Sequence, residues 1–309
     1  MKQLHNFRPK RSLGQNFLTN LDVARKIADA GDIHNTDTVL EIGPGKGVLT
    51  QELLVRAEKV IAVEKDDELV ALLRKHFSKE IAEGRLVLHH GDILDVLEKR
   101  KKKKERRSEQ RSEGASPSGM PPSSSFLLPS SYCVVANIPY NITGAIIEGA
   151  LSSPTPPERM VLLVQREVAE RIVTRDHKES LLSIAVNCYG TPRIAGYVSA
   201  GNFSPKPKVD SAILAIENIS KGFFLHLATR SLSEGIREMA RIEDDFFTLV
   251  RAGFAHKRKY LLSNLRSAFG GDVAWSDVFE KVGLPATVRA EKLTPLQWRE
   301  LFVHTTRLT

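Results

Sequence analysis

Between Thr38 and Gln165 the chain repeats one pattern: a short β-rich apolar run, then a longer stretch with apolar residues three or four apart. "TVLEIG", "KVIAVE", "RLVLHHGD", "YCVVAN" and "RMVLLVQ" are the short runs. "GVLTQELLVRA" and "DDELVALLRKHF" lie between them with helical spacing, so strands are predicted to alternate with helices. Such alternation predicts an α/β fold with a doubly wound, mainly parallel sheet. Upstream, Asn20 and Asp22 supply cap residues for a first helix. Beyond "FSPKPKVDSAILAIE" the pattern changes. From about Gly222 only helical spacing remains, in "FFTLVRAGFAHKRKYLLSNLRSAF" and "TPLQWRELFVHT". The reading is a first domain over residues 1–218 and a smaller all-helical domain over 219–309. No internal repeat is present.

One segment interrupts the alternation. Residues 99–131 begin with "KRKKKKERRSEQR", nine Lys/Arg against two Glu, and continue into Ser, Pro and Gly. A stretch this charged and this poor in apolar residues has nothing to bury, which predicts a disordered insertion. The tract 99–111 alone supplies +7 of the chain's formal +8, so net charge alone says little about nucleic-acid binding. The rest of the composition, 41% hydrophobic and 27% charged over 309 residues, fits one sizeable domain and a smaller one. No apolar run approaches the ~18 residues of a membrane span, and the basic "MKQLHNFRPKRSLGQNF" lacks a secretory apolar stretch. A cytoplasmic protein with no membrane partner is expected. Cys133 and Cys188 form no disulfide framework or metal spacing.

Candidate chemistry sits where the predicted strands end. "LEIGPGKG" follows one strand and opens a helix, so Gly43, Gly45 and Gly47 allow a tight turn and close approach of a ligand to the backbone. Its spacing fits neither a P-loop nor G-x-G-x-x-G. Glu64 ends the next strand seventeen residues after Gly47, near the offset of ~20 at which an acid meets ribose hydroxyls; a plain helix-N-terminal carboxylate with Asp66 and Asp67 is the alternative. Asp92 ends the third, in "LHHGDI", placed to accept from an exocyclic amine; His89 and His90 have no partner at metal spacing and read as strand and loop residues. The fourth ends in "VVANIPYNIT", where Pro139 stops the strand and stiffens a turn carrying Asn137, Ile138 and Tyr140.

This ordered set resembles the ribosomal RNA small-subunit adenine N6,N6-dimethyltransferase family. The likeness covers nearly the whole chain and rests on "LGQNFL" at 13–18, "EIGPGKG" at 41–47, Glu64, Gly91-Asp92, "NIPYNI" at 137–142, "FSPKPKVDSA" at 203–212 and "FAHKRKYLLSNL" at 254–265. It implies a Rossmann-like S-adenosylmethionine-dependent methyltransferase domain with a smaller all-helical C-terminal domain. S-adenosyl-L-methionine is the implied cofactor, held by Asn16, Leu18, Gly43, Gly45, Glu64, Asp92 and Asn137, with Glu64 on the ribose and Asp92 on the adenine. The implied catalytic set is Asn137, Ile138, Pro139, Tyr140 and Phe203. Asn137 and the Ile138 carbonyl would orient the target amine, Tyr140 would stack on the flipped base, and Phe203 would close its other face.

The implied partner is small-subunit ribosomal RNA in an immature small ribosomal subunit, met by a monomer, with Lys257, Arg258 and Lys259 as RNA contacts. "VDSA" and the helical tail favour the small-subunit enzymes over relatives acting on large-subunit RNA. The long insertion departs from the family pattern, and "FAHKRKY" stands where a glutamine and paired arginines are usual. Two rivals fit less well. A nicotinamide oxidoreductase is disfavoured by the glycine spacing, and a non-catalytic assembly factor by intact Asn137, Pro139 and Tyr140.

Overall fold

The computed structural model describes residues 10, 14–98, 128–173, 178–227, 235–270 and 273–306. The chain divides into two compact units, Met1–Ala169 with Pro192–Ile219, and Glu170–Thr191 with Ser220–Thr309. The second unit therefore takes residues 170–191 from within the stretch that sequence assigns to the first domain. Among the described residues no helix is long and apolar enough to cross a membrane.

The first unit opens with β1 (Phe17–Leu18) and α1 (Leu21–Ala30), whose N-terminal turn is capped by Asn20 accepting from the Asp22 amide at 2.9 Å. The alternation then runs β2 (Thr38–Ile42), α2 (Val48–Arg56), β3 (Lys59–Glu64), α3 (Asp67–His76), α4 (Ser78–Ala82), β4 (Leu86–His90) and α5 (93–98). After β5 (Cys133–Asn137) come α6 (Thr143–Leu151), β6 (Met160–Gln165), β7 (Thr191–Val198), β8 (Phe203–Ser204) and β9 (Ser211–Glu217). Seven strands form one sheet in the order β4-β3-β2-β5-β6-β9-β7. The five strands from β4 to β6 are parallel, and β9 runs antiparallel to β6.

The sheet is mainly parallel because β2, β3, β5 and β6 are apolar along nearly their whole length and lie buried, as strands covered on both faces must be. Val39, Val60, Ala62 and Val135 pack with Ile27, Leu53 and Leu73 of the helices in one continuous core. β7 carries no comparable signal. Its residues alternate between exposed and half-buried at the sheet's edge, and Arg193 and Gly196 dilute its apolar content. Of the predicted insertion, residues 99–127 lie outside the described residues. Residues 128–131 belong to the fold: Leu128 is buried, and Ser131 Oγ donates to Glu158 at 2.5 Å.

The chain passes to the second unit within α7 (Arg166–Val173), followed by α8 (Leu181–Tyr189), α9 (Gly222–Leu225), α10 (Gly235–Gly253), α11 (Leu261–Phe269), α12 (Trp275–Val282) and α13 (Pro295–Thr306). Tyr189, Phe223, Phe224, Phe246, Phe247 and Phe302 form its aromatic centre, with ring centroids 5.2–6.0 Å apart. Buried Glu243 joins this centre, accepting from the Tyr189 hydroxyl and from Lys221 Nζ at 2.7 Å. Both carboxylate oxygens thus have donors, which a buried charge requires.

The apolar spacing across 251–266 suggests one helix, but α10 stops at Gly253 and α11 begins at Leu261. Two contacts lie at the break. Asn264 Nδ2 donates to the carbonyls of Gly253 and His256, at 2.6 and 3.2 Å, holding the loop shut. Gly253 itself lies against Trp298, so close that a Cβ there would meet the indole at 2.3 Å.

Candidate active site

A cavity opens at the C-terminal ends of β2, β3 and β5. The sheet order places this where successive strands depart in opposite directions, β3 and β4 to one side of β2 and β5 and β6 to the other. Ligands of open α/β sheets bind at such a crevice. Asn16, Leu18, Gly43, Gly45, Glu64, Asp92, Asn137, Ile138, Pro139 and Tyr140 all line it.

β2 enters the cavity through Gly43-Pro44-Gly45-Lys46-Gly47, and all three glycines take positive φ. Packing crowds two of these positions. At Gly47 (φ +82°) an added Cβ would lie 2.6 Å from Phe77 Cε2, and at Gly45 (φ +59°) 3.0 Å from Phe17 Cδ1. The loop lets Gly45 N–H donate to Glu64 Oε2 at 3.1 Å, while Glu64 Oε1 accepts from the amides of Lys65 and Asp66, both at 2.9 Å. Burial raises the Glu64 pKa, and these three N–H groups pull against it. Glu64 is thus held rigidly at the wall, 6% exposed. The helix-terminal role weighed for it belongs to Asp66, which caps α3 by accepting from the Glu68 amide. Asp92 accepts from Lys65 Nζ at 2.8 Å and from the Leu94 amide at 2.9 Å. Burial favours its neutral form, but those two donors outweigh burial and hold its pKa below the usual carboxylate range.

Glu41 is a site residue that the strand pattern conceals. It is 1% exposed on β2 and lines the cavity, and its Oε2 has no hydrogen-bond partner among the described residues. Burial is the main cause that pushes its pKa up to about 8; the charge of Glu64 adds to the rise and the Thr50 hydroxyl opposes it. A carboxyl in the middle of the apolar run "VLEIG" was the available signal, since a buried acid needs a partner.

Asn137 ends β5, and its Nδ2 donates to the Asn16 carbonyl at 3.1 Å. That bond fixes the amide's orientation and leaves Oδ1 as an acceptor. Pro139 (φ −61°) turns the chain into a short 3₁₀ segment, where the Tyr140 hydroxyl lies 2.6 Å from Ser211 Oγ on β9. Burial raises the Tyr140 pKa, opposed by this hydrogen bond. The segment carrying Asn16 is tied down twice. β1 pairs antiparallel with β8, Leu18 opposite Phe203, and Asp66 accepts from Gln15 Nε2 at 3.1 Å and Lys10 Nζ at 2.9 Å.

Phe203 does not line the cavity. Its ring is 5% exposed in the main core while its backbone pairs with Leu18, so its observed part is to seat the N-terminal segment. Lys257, Arg258 and Lys259 are in the second unit, all exposed on the loop between α10 and α11. His90 Nε2 lies 2.7 Å from Asp67 Oδ1.

The sequence profile of the family described as "Ribosomal RNA adenine dimethylase" matches residues 6–306. The chain belongs to that family. It is 36% identical to the Ribosomal RNA small subunit methyltransferase A of Dehalococcoides mccartyi over 302 residues, covering 97% of this chain and 90% of that protein. The protein of the same name from Nostoc is 33% identical, with 95% and 97% covered. Among solved structures, the 23S rRNA methyltransferase ErmE superposes with a TM-score of 0.60 at 25% identity, covering 94% of this chain and 100% of that one. A dimethyladenosine transferase from Plasmodium falciparum reaches 0.67 at 24%, covering 94% and 98%, a likeness of fold. The chain is an S-adenosylmethionine-dependent ribosomal RNA adenine dimethyltransferase. The cavity suits that cofactor: the unpartnered Glu41 oxygen is an acceptor for a cationic donor, and Glu64 and Asp92 stand on successive strand ends.

Proposed function

We propose that this dimethyltransferase acts on adenines of small-subunit ribosomal RNA within an immature small ribosomal subunit, as a cytoplasmic monomer, and that Asn137, Ile138, Pro139 and Tyr140 present the target amine. The observation that carries the reading is the Asn137–Asn16 bond, which leaves Asn137 Oδ1 as an acceptor in the cavity that Glu64 and Asp92 also line. Bound S-adenosylmethionine supplies a methyl group already activated on a sulfonium. Glu64 would hold its ribose, Asp92 its adenine and Glu41 its ammonium.

The protein's share of the reaction is then placement. Asn137 Oδ1 and the Ile138 carbonyl accept from the two N–H bonds of the exocyclic amine, drawing its lone pair out of conjugation with the ring. Tyr140, its hydroxyl anchored by Ser211, supports the base, and Pro139 keeps the two acceptors from drifting apart. Bringing two substrates into attack geometry is worth about 7–11 kcal/mol, so no nucleophilic side chain is required. The amine loses its proton to solvent after each transfer, and the same acceptors serve the second methylation, when one N–H remains. Lys257, Arg258 and Lys259 would contact phosphates of the same RNA.

Labelled S-adenosylmethionine and small subunits lacking the modification test this directly. Two methyl groups per target adenine are expected from the wild type, and transfer slowed by about 10²–10³ from Asn137→Ala. RNA binding without any transfer would instead favour a non-catalytic assembly role.

A further inference from the structure

Beyond the adenine cavity, the first unit carries an exposed aromatic on the sheet's edge that the chemistry above does not use. Tyr197, on β7, is 58% exposed, and the guanidinium of Arg166 lies over its ring at 4.9 Å from the centroid. Several contacts locate this pair. Gln165 is in register with Ser211 across β6 and β9, and the Arg166 amide donates to the Asp210 carbonyl at 3.0 Å. Gly196, beside Tyr197, lies against Ile213, two residues along β9 from Ser211. Ser211 in turn holds the Tyr140 hydroxyl. With neighbouring strands about 4.8 Å apart, the pair stands roughly 10–15 Å from the base pocket.

The adjoining loop adds two cations, and one exposed acid, Glu167, follows Arg166 in the chain. Lys206 and Lys208 are exposed on the loop that joins Phe203 to Asp210, and neither forms a salt bridge among the described residues. The acid of that loop is already engaged, Asp210 Oδ1 accepting from the Ala200 amide at 2.9 Å. An open aromatic face backed by a guanidinium and flanked by lysines suits one occupant, an unpaired nucleotide: its base stacks, and its phosphates meet positive charge.

We propose that Tyr197 and Arg166 form a stacking platform for a single-stranded nucleotide flanking the target adenine, with Lys206 and Lys208 on its backbone. This rests on the reading that the cavity takes an adenine from RNA. The pair sets where the strand lies rather than how the methyl moves, so Tyr197 is a positioning residue.

The test is the affinity of the full-length chain for a single-stranded RNA oligonucleotide carrying one central adenine, beside its methyl-transfer kinetics on small subunits. Tyr197→Ala should weaken oligonucleotide binding by about 5- to 100-fold, the range for removing one base–aromatic stack. It should raise the KM for RNA, leaving cofactor affinity and melting temperature unchanged. Tyr197→Phe, which keeps the ring, should restore binding. Wild-type affinity in Tyr197→Ala, or a loss that Tyr197→Phe does not restore, would overturn the platform. Because binding is read without turnover, a wild type that binds but never methylates strikes the catalytic reading and leaves this one standing.

Discussion

Asn137 donates its side-chain amide to the main-chain carbonyl of Asn16, 121 residues earlier, at 3.1 Å. On the proposed mechanism the bond would make the N-terminal segment part of the catalytic geometry, because it dictates which end of the Asn137 amide is left to accept. Asn137→Ala should lower single-turnover methyl transfer by about 10²–10³, the cost of removing one preorganised polar group, while RNA affinity changes little. Equal losses in both would remove Asn137 from the reaction. Asn137→Asp should be nearly as damaging, since a carboxylate cannot donate to the Asn16 carbonyl.

Ser211→Ala removes the partner of the half-buried Tyr140 hydroxyl. The expected loss of stability is about 0.5–1.5 kcal/mol, as for one hydrogen bond lost, together with a lower rate of transfer. The double variant with Tyr140→Phe should recover the stability, which chemical denaturation can read.

Glu41 should make cofactor binding depend on pH. In the free protein its carboxyl stays protonated up to about 8, whereas a cationic ligand group favours the ionised form. Binding below that pH therefore releases a proton. Affinity should rise with pH and level off above about 8, a trend that Glu41→Gln abolishes; titration calorimetry in buffers of different ionisation enthalpy reads both. Stability of the cofactor-free protein has the opposite slope. The folded pKa lies above the ordinary 4.5, so unfolding releases a proton between the two values and stability falls as pH rises from 4.5 to about 8.

Gly47→Ala places a Cβ at φ +82° and 2.6 Å from the Phe77 ring. Left-handed backbone costs a non-glycine residue about 1–2 kcal/mol, and the clash adds to it. Phe77→Leu in the same chain should recover only the steric part. An unchanged denaturation midpoint in Gly47→Ala would show that the loop can relax.

Replacing Lys257, Arg258 and Lys259 together with alanine should weaken RNA binding and flatten its log–log salt slope by about 0.7–0.9 for each phosphate left without its cation. All three side chains are exposed, so melting temperature should hold. A wild-type slope would move the phosphate-binding surface elsewhere.

The sequence by itself determined the elements whose signal is local. Apolar, β-rich runs such as "KVIAVE" read as buried strands, and the glycines, acids and "NIPY" at their ends include Gly43, Gly45, Glu64, Asp92 and Asn137 to Tyr140, which all line one cavity. It could not reveal relations between distant segments. Glu41 was hidden inside a strand pattern, and only packing left its oxygen without a donor. Phe203 reads as an aromatic beside a site, yet the pairing of β1 with β8 draws it into the core. The apolar spacing of 251–266 gave no sign of the break at Gly253 or of the contacts Asn264 and Trp298 make there, because one side chain reaches back eleven residues and the other belongs to α13. Periodicity records which face of an element is buried. Which hydrogen bond orients Asn137, and which ring fills the space at Gly47, depends on neighbours that only the folded chain brings within a few ångströms.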